Sequence, residues 1–481
     1  MANGIDLEFG FRSAAATASR GEASPLRILL IGDFHGASEP PPLLSRPIHA
    51  VDIDDFDATC ARIAPRCHLA DGEELSFAEY DDFHPDRLCQ SLPALADLLD
   101  LRRRLASVGS FDAAAAELRQ RLADLPTAPD APDAAVHTES DGDTLQRLLG
   151  HPVTTESGQS GGGALDRFVA AAVAAHIAPA APPQQSLYLQ AIDQALSDAL
   201  RSCLQDPAFR SLEAAWLGLR RLLSKIETDE TLQLSLLSAT VAELGLALQD
   251  EPELMQRIAA GSRQDGQEPW SLIVVLHAFA GDEGSMRHLQ ALGRLAEGCG
   301  ASLLADAAPD LLGAASLAEL ADPASWQPSQ GWAELRQNPL SRRIGLAVPG
   351  LLLRQPYGEA SDPIEAFPFE ECPGEPGSLA WGSAALGITA LLAEAFRHAG
   401  WGMSPDDVLT LDDLPAHVWR QDGELRRTPC AGRYLPESVV EALLASGLMP
   451  MVSHAQRPQV RVARMQAISE PLCALEGPWS A

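Results

Sequence analysis

The sequence is short of basic residues. Among its 481 residues, 35 Lys and Arg stand against 66 Asp and Glu, which gives a formal net charge of −31 at pH 7. A protein that binds nucleic acid normally presents a basic face to the phosphate backbone, so we expect no nucleic-acid partner. The only conspicuous basic run, Arg102–Arg104, lies on an apolar-periodic helix and is predicted to be solvated.

Cysteine motifs, a signal peptide and a membrane-spanning run are also missing. The eight cysteines are scattered without a Cys-x-x-Cys pair, which excludes a disulfide framework and a zinc-finger pattern. The N-terminal residues "MANGIDLEFGFRS" contain no apolar segment of the signal-peptide kind. The most apolar stretch, at residues 168–181, is interrupted by His176 and is too short to cross a bilayer. We therefore expect a reduced, soluble, cytoplasmic protein without membrane insertion.

The first 124 residues carry an α/β pattern. The aliphatic run at residues 26–31 predicts a strand covered on both faces. Further strands are predicted around Ile48, Val51 and Ile53 and at "ELSFAEY", with a short helix marked by Phe56, Cys60 and Ile63. Pro85 fits the first turn of a leucine-rich helix. These elements predict one compact domain over residues 1–124.

Residues 125–163 differ in composition from both flanking parts. They are rich in Pro, Gly, Ser, Thr and Asp and lack apolar periodicity, which predicts a flexible linker. A random coil of this length spans roughly 35 Å, which permits the flanking parts to dock within one chain at high effective concentration.

Residues 164–481 predict a second α/β domain. Apolar residues at helical spacing over 189–203 and 212–223 predict two packed helices. The alternating stretch "TLQLSLLSAT" predicts a strand, and Thr240 with Glu243 has the spacing of a capping box. "WSLIVVLHAF", "SMRHLQALGRLAEGCG" and "ASLLADA" predict a parallel βαβ unit. The fold class is therefore α/β, with two lobes of mixed sheets flanked by helices and joined by the linker.

The turn Gly32-Asp33-Phe34-His35-Gly36 is the strongest candidate for chemistry. It matches the opening of the metal-binding loop of many metallophosphoesterases, so a metal-dependent phosphoesterase is the alternative function. A two-metal site needs further Asp, Asn and His ligands, and the sequence contains no Gly-Asn-His. The other Gly-Asp pairs, Gly142-Asp143 and Gly281-Asp282, lack an arginine at the required spacing. A polar turn after a buried strand is the preferred interpretation.

The cluster "DDFHPD" offers a second candidate through Asp81, Asp82, His84 and Asp86. Acidic residues at a helix start complement its free N–H groups, which explains the cluster without a metal. Cys89 lies near His84 but on a leucine-rich helix, where cysteine is usually part of the core. No nucleophile elbow, P-loop or dinucleotide fingerprint occurs. We therefore assign no catalytic, cofactor-binding or metal residue, and expect no enzyme.

Both domains resemble contractile-sheath subunits of the bacterial type VI secretion system. Over residues 25–106, "ILLIGDFHG", "VDIDDFDATCARIAPR" and "FAEYDDFHPDRL" resemble the small subunit family (TssB). Residues 164–456 resemble the large subunit family (TssC) through a series of segments in family order: "ALDRFVAAAVAAHIAPAAPPQQSLYLQAIDQALSDALRSCLQDPAFRSLEAAWLGLRRLL", "RIGLAVPGLLLRQPYG", "DPIEAFPFEE", "AWGSAALGITALLAEAFRHAGW", "DLPAHVW" and "ESVVEALLASGLMPMVSH".

The resemblance implies a mechanical function without a cofactor. Family members pair small with large subunits and stack into a helical sheath, whose contraction drives a tube outward and which an AAA+ unfoldase recycles. The partners that the resemblance implies are other sheath, tube or baseplate proteins, that unfoldase and further copies of this chain. Large subunits normally continue past the position of "ARMQAISEP" into a tube-lining C-terminal region, whereas this sequence ends at Ala481. The expected role is thus a sheath building block or a sheath-like accessory.

Overall fold

The structure is a computed structural model that describes residues 24–36, 40–123, 184–250, 252–260, 268–373 and 379–479. The predicted linker at 125–163, the predicted domain start at 164 and the apolar stretch at 168–181 lie outside these residues. We call the described residues up to 123 the N-terminal half and those from 184 onward the C-terminal half. In the described part of the chain, no helix combines the length and apolar character needed to cross a membrane.

Strands and helices alternate along most of the chain. The strands are β1 (Leu26–Gly32), β2 (His49–Ala50), β3 (Arg66–His68), β4 (Glu74–Ser76), β5 (Leu232–Ser238), β6 (Leu272–Phe279), β7 (Ser302–Ala307), β8 (Ile344–Val348), β9 (Leu351–Leu352), β10 (Trp381–Gly382), β11 (Thr410–Leu411), β12 (Val418–Gln421), β13 (Glu424–Arg427), β14 (Met449–Ser453) and β15 (Val460–Val462). The α-helices are α1 (Phe56–Ile63), α2 (Pro85–Ser91), α3 (Pro93–Ala106), α4 (Phe111–Ala123), α5 (Gln185–Gln205), α6 (Pro207–Lys225), α7 (Val241–Asp250), α8 (Pro252–Ala260), α9 (Glu283–Cys299), α10 (Gln330–Gln337), α11 (Ala384–Ala399) and α12 (Glu437–Ala445). The predicted α/β class is confirmed.

A nine-stranded mixed sheet is the centre of the fold, with strand order β11-β15-β14-β8-β7-β6-β1-β5-β2. The strands from β14 to β5 in this order are parallel to their neighbours. Strands β2, β15 and β11 pair antiparallel at the two ends. The predicted parallel unit β6-α9-β7 is confirmed. Strand β1 of the N-terminal half lies between β5 and β6 of the C-terminal half, so the halves share one sheet.

Helices cover both faces of this sheet. All residues of β1 are buried, as expected for a strand covered on both sides. Leu26, Ile28 and Leu30 belong to a core shared with α1 to α6 and α11. Leu29 and Ile31 belong to a second core with α7, α8, α9, α10 and α12. The N-terminal helices therefore pack beside α5, α6 and α11 on one face.

Local sequence signals set several helix ends. The predicted capping box forms at α7, where the Thr240 N–H donates to Glu243 at 3.0 Å and the Glu243 N–H donates to the Thr240 hydroxyl at 3.2 Å. Helix α9 ends at Gly300, whose φ of 69° is left-handed. The leucine-rich helix predicted after Pro85 is divided, because Pro93 starts a new helix. The strand predicted around Ile48–Ile53 is only two residues long, since the acidic residues after it turn into α1.

Asp306 lies at the carboxyl end of β7, facing a cleft of about 470 Å³. Its carboxylate accepts a hydrogen bond from the Ala385 N–H at 3.0 Å, at the start of α11. Desolvation raises the pKa of Asp306 to about 7 despite this bond and one from Ser383. The folded protein therefore retains a proton on Asp306 that the unfolded chain releases near pH 4.

This pKa predicts a pH-dependent contribution to stability. Because the folded state binds the proton more tightly, the contribution is fully present below about pH 4 and is lost as the pH rises toward 7. In Asp306→Asn the amide oxygen still accepts from Ala385, so the difference in free energy of unfolding between variant and wild type should change over this pH range. Urea denaturation of both proteins at several pH values measures this difference. A difference in free energy of unfolding that does not change with pH contradicts the raised pKa of Asp306.

The shared sheet predicts that both halves unfold together. Leu30 is fully buried in β1, so Leu30→Ala should lower the free energy of unfolding by about 2–5 kcal/mol. In Leu44→Ala, where the side chain is 41% exposed, the loss should be about 0.5 kcal/mol or less. Both variants should unfold in urea in one transition, whereas a separate transition for each half would refute the shared core.

Candidate functional site: the interface between the two halves

The backbone of β1 forms the centre of the interface. It pairs with β5 over its whole length, from Leu26 opposite Leu232 to Gly32 opposite Ser238. On its other edge, residues 28–31 pair with β6. Buried backbone N–H and C=O groups need partners, and β1 supplies them to strands on both sides. Its removal would leave two unpaired edges inside the sheet.

Arg27 is a buried charge within β1, with only 4% of the residue exposed. Its Nε donates to the side-chain oxygen of Gln233 at 3.2 Å, and a terminal nitrogen donates to the Glu268 carbonyl. The guanidinium lies 4.4 Å from the ring centre of Trp270. Burial lowers the pKa of Arg27. Since a shift of one residue would turn Arg27 to the other face, these contacts also fix the register of β1.

Aromatic side chains fill the space between β1 and α6. Trp216 is fully buried, and its ring meets those of Phe34 and Phe56 edge to face at centroid distances of 5.3 and 5.6 Å. Its indole N–H donates to the Phe34 carbonyl at 3.2 Å. Each such ring pair contributes about 0.5–1.5 kcal/mol beyond area burial. The guanidinium of Arg220 lies 5.3 Å from the Phe56 ring, so both halves build this cluster.

A largely buried ion pair joins Arg46 to Glu243. Arg46 contacts the two carboxylate oxygens at 2.5 and 3.2 Å and donates to the Ser238 carbonyl at 3.0 Å. Desolvation opposes the charge on Glu243, but hydrogen bonds from Arg46 and Thr240 outweigh it and lower its pKa. Arg257 of α8 donates to the carbonyl of Arg46. The loop before β2 is thereby held against α7 and α8.

Helices α3 and α5 extend the interface. Arg102 forms an ion pair with Asp193 at 2.5 Å, and the Gln185 side chain donates to the Leu105 carbonyl at 2.8 Å. The predicted solvation of the Arg102–Arg104 run thus holds for Arg103, which has 80% of its side chain exposed, but not for Arg102. Its charge serves the contact between the halves.

A buried charge cluster supports the loop that docks on α2. Arg354 pairs with Glu213 at 2.8 Å and with Glu371 at 2.7 Å. The Arg354 guanidinium lies 4.2 Å from the centre of the Tyr357 ring, which in turn contacts the ring of His84 edge to face at 5.2 Å. Replacing Arg354 would leave two buried carboxylates without their cation, which typically costs about 3–5 kcal/mol.

Asp33 and His35, the strongest candidates for chemistry, serve the turn after β1. An Asp33 carboxylate oxygen accepts from the Gly36 N–H at 2.9 Å, and His35 Nδ1 is hydrogen-bonded to the Ser238 hydroxyl. Burial, followed by the charge of Arg46, lowers the pKa of His35. Gly36 has a φ of 62°, and a Cβ there would lie 2.3 Å from the Arg66 carbonyl oxygen. This geometry gives the phosphoesterase alternative no support.

The second candidate cluster caps helices. The Asp82 carboxylate accepts from the Glu79 N–H at 3.1 Å in a capping box, and His84 is the N-cap of α2 with Pro85 at its first position. Asp86 accepts from the backbone N–H groups of Glu365 and Ala366 at distances of 2.9–3.1 Å. Cys89 is buried, and desolvation raises its pKa to about 12. In the ranges that the structure describes, no group of three or more His, Cys, Asp or Glu side chains could hold a metal ion.

Comparison with known families matches each half separately. A family model described as "EvpB/VC_A0108, tail sheath N-terminal domain" matches residues 186–468. The chain belongs to this tail sheath family. A second model, "Type VI secretion system, VipA, VC_A0107 or Hcp2", matches residues 10–134. The resemblance of the N-terminal part to the small sheath subunit and of the C-terminal part to the large one is confirmed.

One relative from Pseudomonas aeruginosa supports the same family. It is the "Type VI secretion system sheath protein TssC1", which is 26% identical over 303 residues. The matched region is 59% of this chain and 61% of that sheath protein. The chain thus spans less than two thirds of the length of this relative.

The interface predicts that the halves stay together after the chain is cut between them. A protease site placed within residues 125–163 of the full chain should yield two fragments that co-elute in size-exclusion chromatography. Because Trp216 is fully buried between the halves, Trp216→Ala should weaken the fragment affinity by about 3–5 kcal/mol, which is more than a hundredfold in Kd.

Trp419→Ala provides the matched control, since Trp419 lies in strand β12, outside the β1–α6 contact. This variant should leave the fragment affinity unchanged. Fragments that separate on cleavage of the wild-type chain would show that the interface does not hold the halves together.

Proposed function

We propose that this chain is a structural component of the contractile sheath of the type VI secretion system, or a sheath-like accessory of that machine, and that it acts through protein–protein assembly. The observation that carries the proposal is the position of β1 between β5 and β6. Small-subunit-like and large-subunit-like parts, joined in one chain, form a single sheet with a shared core on each face. The pairing that the sheath family makes between two proteins is here built into one.

We propose three regions for the chain: a small-subunit-like domain at 1–124, a linker at 125–163 and a large-subunit-like domain at 164–481. The family matches support this division, since one ends at residue 134 and the other begins at residue 186. The change of composition between residues 125 and 163 supports it as well.

The shared core suits a protein that transmits force. A load on one half acts on β1, whose displacement would break hydrogen bonds along both of its edges and expose apolar residues on both faces. Each fully buried aliphatic side chain resists exposure by about 1.5–3 kcal/mol. The two halves therefore move as one block, and conformational change is confined to contacts between copies or with other proteins.

The proposed partners are other sheath, tube or baseplate proteins, further copies of this chain and an AAA+ unfoldase. Membership of the tail sheath family supports assembly with sheath proteins. We propose the cytoplasm as the site of assembly, and an action without catalysis, cofactor or resident metal. The hydrogen bonds of Asp33 with Gly36 and of His35 with Ser238 support this last point.

Negative-stain electron microscopy of the purified full chain tests the proposal. Cogwheel-shaped tubes are the expected result for a building block, and discrete particles that bind purified sheath or baseplate proteins are the expected result for an accessory. Leu30→Ala, which weakens the shared core, should reduce either assembly, whereas Leu44→Ala should not. A chain that forms no assembly and binds none of these proteins contradicts the proposed function.

A further inference from the structure

The hairpin of β12 and β13 forms a two-stranded sheet separate from the nine-stranded sheet. Asp422 and Gly423 connect its strands with φ values of 51° and 84°, the backbone of a type I′ turn. Its register places Val418 opposite Arg427 and Arg420 opposite Leu425. Because alternate residues point to opposite faces of a strand, these four side chains share one face, which we call the basic face of the hairpin.

The basic face combines exposed apolar and cationic side chains. Leu425 is 67% exposed and Val418 is 46% exposed, whereas every residue of β1 is buried. No acidic residue is present on this face. On the other face, Arg426 lies 3.9 Å from Glu424, so its charge is partly balanced.

The two arginines of the basic face have no acidic partner within the ranges that the structure describes. Arg420 donates only a long hydrogen bond of 3.4 Å, to the Gly423 carbonyl. One guanidinium nitrogen of Arg427 is buried within the chain, so the guanidinium of the exposed Arg420 is the cation that a partner can reach. A carboxylate is the acceptor that guanidinium groups bind most strongly. The basic face therefore fits a surface that carries carboxylates beside an apolar residue.

A second copy of this chain offers such a surface. With 66 acidic against 35 basic residues, most of the surface of another copy attracts a cationic hairpin. Two basic faces repel each other, so the hairpin contacts a different surface on the next copy. Such a heterologous contact produces open-ended assemblies when the rotation that relates successive copies does not close a ring.

We propose that the basic face of the β12–β13 hairpin is a docking surface for an acidic surface on a second copy of this chain, in a head-to-tail contact. This inference rests on the proposed function and adds to it one of the surfaces through which copies assemble. Val418 and Leu425 supply apolar burial, while Arg420 selects an acidic partner.

Sedimentation velocity of the full chain over a range of concentrations tests this contact. The double variant Arg420→Glu with Leu425→Ser should weaken self-association at least about tenfold in Kd, because it removes attraction and adds repulsion. Raising NaCl to about 0.5 M should weaken the wild-type contact too, since salt screens exposed charges. Val418→Ser should act in the same direction without a change of charge.

Arg103→Glu with Leu246→Ser is the matched control, because both side chains are exposed and lie on α3 and α7 rather than on the hairpin. It should associate like the wild type, and near-UV circular dichroism should be the same for all variants. If the hairpin variants associate as tightly as wild type and still form its assemblies, the docking surface is refuted while the proposed function stands. A wild-type chain that stays monomeric at every concentration refutes the second copy as partner, and binding to purified sheath proteins then decides separately whether the proposed function survives.

Discussion

Strand β1 is hydrogen-bonded to a neighbouring strand on each edge, and its side chains are buried on both faces of the sheet. Both neighbouring strands come from distant parts of the chain. Arg27 and Gln233, for example, are 206 positions apart. The entropic cost of closing a loop grows slowly with its length, by about 0.6 kcal/mol for each doubling. Removing β1 from the sheet would expose its seven buried residues to solvent. The balance favours one sheet built from both halves, and the other contacts of the interface depend on that placement.

Those contacts surround the strand with aromatic packing, hydrogen bonds and ion pairs. The turn at its end brings Phe34 to Trp216 and His35 to Ser238, while the following loop carries Arg46 to Glu243. Aromatic burial stabilises the interface more than its isolated ion pairs do, because an ion pair contributes less once desolvation is included. The charged contacts instead define which surfaces meet. In this arrangement Asp33 and His35, which resemble a metal-binding loop in sequence, form hydrogen bonds with Gly36 and Ser238.

The elements of the fold were largely predictable from sequence, because each depends on local periodicity. The run at 26–31, the helices α5 and α6, and the unit β6-α9-β7 follow from apolar spacing. The partners of β1 were not predictable, since a fully buried strand looks the same beside any neighbour. Trp216 and Glu243 were missed as interface residues for the same reason. Arg27 offered a signal, because one charge within an aliphatic run implies a specific polar partner.

Hydrogen exchange of the full chain, followed by mass spectrometry on peptides covering β1, β5 and β6, tests the shared sheet most directly. If β1 lies between the other two strands, its amides exchange only when the whole protein unfolds, with the same protection as those of β5 and β6. Protection in β5 and β6 together with rapid exchange in β1 would mean that the N-terminal strand is not part of the sheet. The joining of the two sheath-like halves would then need another explanation.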